Sequence, residues 1–211
     1  MNNPWEKIDL DIYETHMSSD SVFQLQTLNE ITRQQLTRYK HSKVAILGIA
    51  AGNGLENIDR NSTEKVYGFD VNSKYLDICK QRYLHFEDIL ELICCDLSDV
   101  QTKLPNTNIL ICNLIIEYLG IENFVKLIRN NKKNVEIISS VIQKNNNSCF
   151  VSSSNLYSAF DPILTIHNDI NDRNLIDAFE EIEFDCIQKE MYPLPNGKEL
   201  IRIDFSNNSK E

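Results

Sequence analysis

Four short apolar runs, each ending at a glycine or a polar residue, limit the folds that this chain can adopt. They are Lys43–Gly48, Lys65–Asp70, Leu90–Asp96 and Asn108–Asn113, and helix-like segments lie between them. Short continuous apolar runs are typical of strands buried on both faces, as in a parallel sheet covered by helices. The carboxyl ends of such strands meet at one edge of the sheet, where ligands bind. The pattern therefore predicts an α/β fold with a doubly wound sheet and a ligand site at that edge.

The rest of the sequence completes this architecture. Asn72 can cap a helix, residues 121–130 carry an apolar stripe at helical spacing, and a fifth apolar run begins at Val135. Asn196-Gly197 separates two strand-like runs, which is the strongest short-range signal for a β-hairpin. We therefore expect a Rossmann-like, mostly parallel, seven-stranded sheet that ends in a C-terminal antiparallel hairpin.

The domain organisation follows from the same patterns. Residues 1–211 are expected to form a single domain, because their number is typical of one α/β unit. An apolar stripe at helical spacing ends near His41, before the first strand, and predicts an amphipathic helix. Residues 1–41 are therefore expected to form an N-terminal helical cap and residues 42–205 the α/β core. From residue 206 the sequence is polar, and we expect a loose tail.

The charge of the chain limits its partners. It has 31 acidic and 21 basic side chains, a formal net charge of −10 at pH 7, and its longest basic run is Lys132-Lys133. Nucleic acids and anionic membranes are bound through clusters of lysine and arginine. We therefore expect neither as a partner. The N-terminus lacks the apolar core of a secretory signal, and no apolar run approaches the roughly 20 residues of a membrane helix. A cytoplasmic location is expected.

Cysteine and histidine spacing gives no sign of a metal centre. The six cysteines form no C-x-x-C pair, and His41, His85 and His167 have no cysteine or carboxylate partner at ligand spacing. We interpret the cysteines as reduced core residues, and we expect no disulfide and no metal site.

The segment Gly48-Ile-Ala-Ala-Gly-Asn-Gly54 is the most informative motif, because it directly follows the first apolar run. Its glycines allow the backbone to approach a ligand closely, and a helix after it would direct free N–H groups at an anion. Asp70 follows at about the 20-residue spacing of a carboxylate that accepts hydrogen bonds from ribose hydroxyls. The two features together predict a nucleotide-like ligand, with a tight turn that binds nothing as the alternative.

Dinucleotide-binding proteins share both of these features. In this chain Asn57 stands where their fingerprint has a glycine or alanine for close helix packing. The third apolar run also ends in an acid, Asp96, placed to meet the exocyclic amino group of a base. With the terminal hairpin, these departures favour an adenosyl ligand with one short anionic or zwitterionic arm. An NAD-dependent oxidoreductase is the less favoured alternative.

These segments resemble the class I S-adenosylmethionine-dependent methyltransferases over nearly the whole chain, and the loop resembles bacterial members of unassigned substrate. The resemblance rests on the Gly-rich loop, Asp70, Cys95-Asp96-Leu97, Asn113-Leu-Ile-Ile-Glu-Tyr118 and the terminal hairpin. It implies S-adenosyl-L-methionine as the cofactor. The loop would face its methionine part, Asp70 its ribose, and Asp96 with the Leu97 N–H its adenine. The full set of cofactor residues implied is Gly48, Ile49, Ala50, Gly52, Gly54, Asp70, Val71, Asp96, Leu97 and Asn113.

The loop departs from the family pattern of acid-x-Gly-x-Gly-x-Gly. Gly48 stands at the position of the acid and Ala50 at that of the first glycine. An alanine is well tolerated there if its φ is negative. Without the acid, contact with the methionine end must come from other residues or be weaker.

The resemblance implies methyl transfer by in-line displacement, in which positioning of the acceptor suffices and a general base is optional. The expected catalytic residues are Tyr13, His16, Glu117 and Tyr118. His16 can accept a proton because its unperturbed pKa lies near neutrality. For all four the alternative is an ordinary packing or surface role. The loop from Ser152 is a candidate for the acceptor pocket.

The expected function is therefore methyl transfer from S-adenosylmethionine to a small-molecule acceptor. The negative charge of the chain favours a neutral or cationic acceptor. The principal alternative is a module that binds S-adenosylmethionine or S-adenosylhomocysteine without catalysis. The sequence leaves the oligomeric state open.

Overall fold

The computed structural model describes residues 3–146, 148–152 and 157–208. Strands and helices alternate along most of the chain. The strands are β1 (Lys43–Leu47), β2 (Lys65–Asp70), β3 (Leu90–Cys94), β4 (Thr107–Asn113), β5 (Val135–Lys144), β6 (Phe184–Pro193) and β7 (Glu199–Asn207). The α-helices are α1 (Leu10–Ser18), α2 (Gln24–Arg38), α3 (Ser73–Arg82), α4 (Ile116–Leu119), α5 (Ile121–Asn131), α6 (Asp161–Leu164) and α7 (Asp172–Glu180). Short 3-10 helices lie at Pro4–Lys7, Leu55–Asn57, Leu84–Phe86, Lys132–Asn134 and Tyr157–Phe160.

The seven strands form one sheet in the order β3-β2-β1-β4-β5-β7-β6. Strands β1 to β5 pair in parallel, whereas β7 runs antiparallel to both β5 and β6. The chain moves outward from β1 to β3 and then returns to the other side of β1, so the direction of winding reverses between β1 and β4. The predicted Rossmann-like sheet with a C-terminal antiparallel hairpin is confirmed. Ligands bind at such a reversal point, beyond the carboxyl ends of the strands.

The central strand β4 shows why the apolar runs lack alternation. Ile109 and Ile111 pack in the cluster under α2 and α3, whereas Leu110 and Cys112 pack in the cluster under α5 and α7. Successive side chains of a strand point to opposite faces. Both faces are covered by helices, so all four of these residues are buried.

The N-terminal region contains two helices where the sequence predicted one. The long helix α2 begins at Gln24 and ends at Arg38, and a separate helix, α1, precedes it. Phe23 has a left-handed φ of 54° at the start of α2, which breaks the helical path between the two. Among the residues described, no helix is long and apolar enough to cross a bilayer.

The expected α-helix after the Gly-rich loop is absent, and this prediction was wrong. Between β1 and β2 the structure has only the three-residue 3-10 helix Leu55–Asn57. The place of such a helix is taken by α2, whose Leu36 packs with Leu55 and Val44 against this face of the sheet. A Cβ atom on Gly54 would come within 2.7 Å of Thr32 on α2. The sheet is therefore covered by a helix that precedes β1 in the chain.

The C-terminal end of the sheet also extends further than expected. Ser206 and Asn207, predicted to begin a loose tail, belong to β7. The Asn207 side chain is buried and donates hydrogen bonds of 2.8 Å to the carbonyls of Lys132 and Val135. These contacts tie the end of β7 to the start of β5.

A buried ion pair joins β7 to its neighbours. The Arg202 guanidinium and the Asp204 carboxylate, 1% and 0% exposed, form two bonds of 2.9 and 2.6 Å. The hydroxyls of Ser139 and Tyr39 donate to the same carboxylate at 2.5 and 2.7 Å. This network connects β7, β5 and the residue that follows α2.

Candidate functional site

A cavity of about 150 Å³ opens at the carboxyl edge of β1, β2 and β4. It is much larger than the space that one water molecule needs, so it has room for a ligand. Residues from the strand ends, the N-terminal cap and the segment after β5 form its wall. The strand-end residues named from the sequence that line it are Gly48, Ala50, Asp70, Val71, Asp96, Leu97 and Asn113.

Asp70 lies at the end of β2 with its carboxylate held by the backbone on both sides. Its Oδ2 accepts a hydrogen bond from the Ala50 N–H and its Oδ1 from the Asn72 N–H, each at 2.9 Å. Burial raises the pKa of Asp70 above its usual value, although these backbone hydrogen bonds oppose the rise. Each carboxylate oxygen keeps a second lone pair. The group can therefore accept two further hydrogen bonds from a ligand in the cavity.

The Gly-rich loop has left-handed backbone at the two positions that line the cavity. Gly48 has φ 71° and Ala50 has φ 48°, so the negative φ required for a relaxed alanine is not present. A left-handed conformation costs an L-residue roughly 1–2 kcal/mol. The Ala50 N–H bond to Asp70 helps to hold this strained geometry. The backbone at Gly48 explains the missing acid, because a side chain there would be strained and would press on Ile115 at 3.3 Å.

Three of the expected cofactor residues lie behind the cavity wall. Ile49 is buried in the core, where its side chain contacts the position of Gly68. A Cβ atom on Gly52 would come within 2.6 Å of Tyr83, and Gly54 is packed against α2. The expected contact of these three residues with the cofactor stays a prediction. They shape the loop by allowing it to pack closely against α2 and α3.

Asp96 follows β3 and lines the same cavity as Gly48 and Ala50. Its Oδ1 accepts from the Ser98 N–H at 2.9 Å, and its Oδ2 accepts from the Asn3 side chain at 3.4 Å. Partial burial opposes ionisation, but these hydrogen bonds outweigh it and the pKa of Asp96 lies below its usual value. The carboxylate stays ionised and partly exposed, so it can accept a hydrogen bond from a base amino group.

The Asn113 amide is held in one orientation by α2. Gln35 donates to its Oδ1 at 2.9 Å and accepts from its Nδ2 at 3.1 Å, while Thr32 accepts from the same Nδ2 at 3.3 Å. Thr32 and Gln35 are both buried, one helical turn apart. The sequence signal for this contact is the position of these two polar residues on the apolar face of a helix.

The N-terminal cap covers the cavity with aromatic side chains. Tyr13 packs edge-on against Trp5, with ring centroids 5.7 Å apart, and stacks on Tyr75 of α3 at 6.3 Å. The Tyr75 hydroxyl donates to the Ile8 carbonyl at 2.9 Å, and the Asn72 amide donates to the Trp5 carbonyl at 3.0 Å. These two bonds fasten the cap to the start of α3, beside Asp70.

His16 and Tyr118, both expected catalytic residues, line the cavity with Tyr13. The His16 ring is 4.7 Å from that of Phe160. Burial, followed by the nearby charge of Lys198, lowers the pKa of His16, so its imidazole is neutral at pH 7. Burial raises the pKa values of Tyr13 and Tyr118, so both hydroxyls stay protonated. At pH 7 none of these three side chains carries a negative charge.

Glu117 is not among the residues that line the cavity, so an effect on the acceptor would be indirect. Its side chain is 1% exposed, and its Oε1 accepts from the Gln143 N–H at 2.7 Å. Its Oε2 has no hydrogen-bond partner among the residues described. Burial raises the pKa of Glu117 to about 7. Glu117 therefore supports β5 at Gln143, whose side chain does line the cavity.

The raised pKa of Glu117 predicts a specific pH dependence of stability. Between pH 4.5 and about 7 the folded state holds a proton that the unfolded state has lost, so the free energy of unfolding falls as the pH rises. The fall is on the order of 3 kcal/mol. Glu117→Gln removes this titration, so its unfolding free energy should fall less over the same window in chemical denaturation experiments.

The matched control is Glu122→Gln. Glu122 lies on the exposed surface of α5, and its carboxylate pairs with Lys126. The free energy of unfolding of this control should fall with rising pH as much as that of the wild type. Equal pH slopes for the wild type and Glu117→Gln would contradict the assignment of the titration to Glu117.

The second half of the chain brings to the cavity residues that local sequence patterns do not indicate. The Gln24 side-chain amide donates to the Gln143 side chain, which itself donates to the Phe150 carbonyl at 2.8 Å. Lys198, in the β6–β7 turn, donates to the same carbonyl at 2.6 Å. Burial lowers the pKa of Lys198 to about 8. Ser152 lines the cavity as expected, and residues 153–156 of that predicted loop lie outside the described residues.

The chain is similar to known proteins in structure but not in sequence. No protein-family model matches the chain, and no curated protein is similar to it in sequence. Solved structures do match. The N-methyltransferase NodS from Bradyrhizobium japonicum WM9, in complex with S-adenosyl-L-homocysteine, has a TM-score of 0.68 and 13% identity over 98% of this chain and 100% of that chain.

Two further structures agree with this match. Magnesium protoporphyrin IX methyltransferase from Synechocystis PCC 6803, with bound S-adenosylhomocysteine, has a TM-score of 0.66 and 11% identity over 94% of each chain. An S-adenosylmethionine-dependent methyltransferase from Clostridium acetobutylicum ATCC 824 has a TM-score of 0.65 and 10% identity over 93% of this chain and 96% of that chain. The chain therefore has the fold of the class I S-adenosylmethionine-dependent methyltransferases.

Proposed function

We propose that this protein is a methyltransferase that transfers the methyl group of S-adenosyl-L-methionine to a small-molecule acceptor. The observation that carries the proposal is the Asp70 carboxylate, fixed by two backbone N–H groups at the edge of a cavity. Asp70 lies next to the point between β1 and β4 where the direction of winding reverses. Ligands bind at such points in α/β sheets.

The residues around Asp70 fit an adenosyl ligand. Asp70 has the lone pairs to accept both ribose hydroxyls, and Val71 lies beside it on the cavity wall. Asp96 can accept from the adenine amino group, and Leu97 can offer its backbone N–H to the ring. Gly48, Ala50 and Asn113 also line the cavity and would hold the methionine end.

When bound, S-adenosylmethionine supplies a methyl group on a positively charged sulfur that a nucleophile displaces in line. The chain's own contribution is to position the acceptor and to exclude water. Tyr13, His16 and Tyr118 line the cavity and are proposed to contact the acceptor. The neutral imidazole of His16 can accept a proton. Glu117 acts as a positioning residue, since it reaches the cavity only through Gln143.

Related structures support this proposal. The Synechocystis and Bradyrhizobium enzymes were solved with S-adenosylhomocysteine bound, and the first is named for magnesium protoporphyrin IX, a small molecule. The acidic charge of the chain supports a cytoplasmic role without nucleic-acid or membrane partners. A module that binds the cofactor without catalysis is the second candidate, favoured by Gly48 at the position of the family's acid.

The decisive experiment is titration calorimetry of the purified protein with S-adenosylhomocysteine, S-adenosylmethionine and NADH in parallel. We expect both adenosyl compounds to bind and NADH not to bind. Mass spectrometry of ligand retained through purification gives an independent result. Binding of NADH alone would refute the proposal in favour of an oxidoreductase. Binding of S-adenosylmethionine without product formation across a broad acceptor panel would support the non-catalytic module.

A further inference from the structure

Aromatic side chains from three separate segments meet in the cavity. The ring centroids of Trp5 and Tyr118 are 5.0 Å apart with planes at 88°, and those of Tyr118 and Phe150 are 5.9 Å apart at 80°. Phe160 lines the same cavity beside His16. Rings that stand nearly at right angles form adjoining walls. Their faces carry the negative part of the aromatic quadrupole, which attracts positive charge.

Among the residues described, the charged side chains that line the cavity have one sign. The ionised side chains that line it are the carboxylates of Asp70 and Asp96, and no lysine or arginine lines it in the part of the chain that the structure describes. Residues 153–156 contain no charged side chain. Lys198 stays behind the wall, where its ammonium donates to the Phe150 carbonyl. Because the proposed function gives both carboxylates to the cofactor, an anionic acceptor would meet electron-rich rings, and the described residues that line the cavity include no lysine or arginine to pair with it.

We infer that the acceptor is a small amine without carboxylate or phosphate groups, and that it is methylated on nitrogen. The inference rests on the proposed methyl transfer. The lone pair of the neutral nitrogen forms the new C–N bond while the S–CH3 bond breaks, and the electron pair of that bond stays on sulfur. The positive charge moves from sulfur to nitrogen, and the ammonium product then releases a proton to water.

Nitrogen and oxygen acceptors place different demands on the site. Methylation of a phenol or a carboxylic acid proceeds through an oxygen anion, which needs a cation or a strong base close to it. Among the described residues that line the cavity there is no lysine or arginine, and the His16 imidazole is a weak base because burial lowers its pKa. Transfer to nitrogen keeps one positive charge in the cavity throughout. Aromatic faces stabilise that charge by about 0.5–2 kcal/mol per contact.

Titration calorimetry with three ligands of one shape tests this inference. The probes are benzylamine, benzyl alcohol and benzoate, each titrated into protein saturated with S-adenosylhomocysteine. Protonated benzylamine carries the charge of the methylated product. We expect it to bind about tenfold more tightly than benzyl alcohol, and benzoate to bind most weakly. Equal or tighter binding of the alcohol or of benzoate, or failure of benzylamine to bind, would overturn the inference.

Two variants connect the preference to the aromatic wall. Tyr118→Leu should reduce the ratio of amine to alcohol affinity to near one, whereas Tyr118→Phe keeps the ring and should retain the ratio. Phe150→Leu serves as the second variant if Tyr118→Leu lowers the melting temperature strongly. Binding of S-adenosylhomocysteine is measured in each protein. If it fails in the wild type, the proposed function fails, and the same probes titrated without it decide the amine preference separately.

Discussion

Replacing Asp70 with alanine is expected to weaken S-adenosylhomocysteine binding about 100-fold, measured by titration calorimetry. A hydrogen bond to a charged group is worth about 1.5–3 kcal/mol, and the proposed ribose contact contains two. A loss of about 2.7 kcal/mol, equal to 100-fold, is therefore a conservative expectation. The substitution also frees the N–H groups of Ala50 and Asn72, which loosens the loop around the ligand.

The control for this experiment is Asp99→Ala, in the loop after β3. The Asp99 carboxylate accepts from the Gln101 N–H at 2.9 Å and does not line the cavity. Its removal should leave the affinity unchanged. Asp70→Asn keeps one acceptor oxygen and should give an intermediate loss. Wild-type affinity in Asp70→Ala, with an unchanged melting temperature, would refute the assignment of Asp70 to ribose.

Replacing Asp204 with alanine is expected to lower the free energy of unfolding by about 3–5 kcal/mol. The substitution leaves the Arg202 guanidinium, 1% exposed, without its charged partner in the core. The hydroxyls of Ser139 and Tyr39 also lose their acceptor. Urea unfolding followed by circular dichroism measures the loss.

Two further variants separate the charge effect from simple loss of packing. The double variant Arg202→Met with Asp204→Leu removes both charges, so it should be less destabilised than Asp204→Ala alone. Asp177→Ala breaks the exposed Arg173–Asp177 pair on α7 and should cost no more than about 1 kcal/mol. If the double variant is as unstable as the single one, the unpaired buried charge is not the cause.

The strands, the start of α3 and the terminal hairpin could all be predicted from local sequence. The side chain of Asn72 caps α3 by accepting from the N–H groups of Lys74 and Tyr75, close to it in the chain. The turn between β6 and β7 places Gly197 at φ 80°, as the Asn-Gly signal requires. Such features depend on residues only a few positions apart, so they can be predicted before the tertiary structure is known.

The details of the candidate site could not be predicted in the same way. Gln35 and Asn113, which hold each other's amides, are 78 positions apart, and Gln24 and Gln143 are 119 apart. Whether Glu117 faces the cavity or the core depends on how α4 packs against β5. The left-handed φ of Ala50 is likewise set by its contact with Asp70, 20 positions later.

By itself the sequence determined the order of the strands along the chain, the hairpin, and the polar residues that end each strand. Periodicity and short-range hydrogen bonding decide these features. Only the tertiary structure decided that α2 covers the face where a helix after the loop was expected, and that Trp5, Tyr118 and Phe150 form one aromatic wall. Those outcomes depend on contacts between residues far apart in the chain, where many pairings satisfy the same hydrophobic pattern and only close packing selects one.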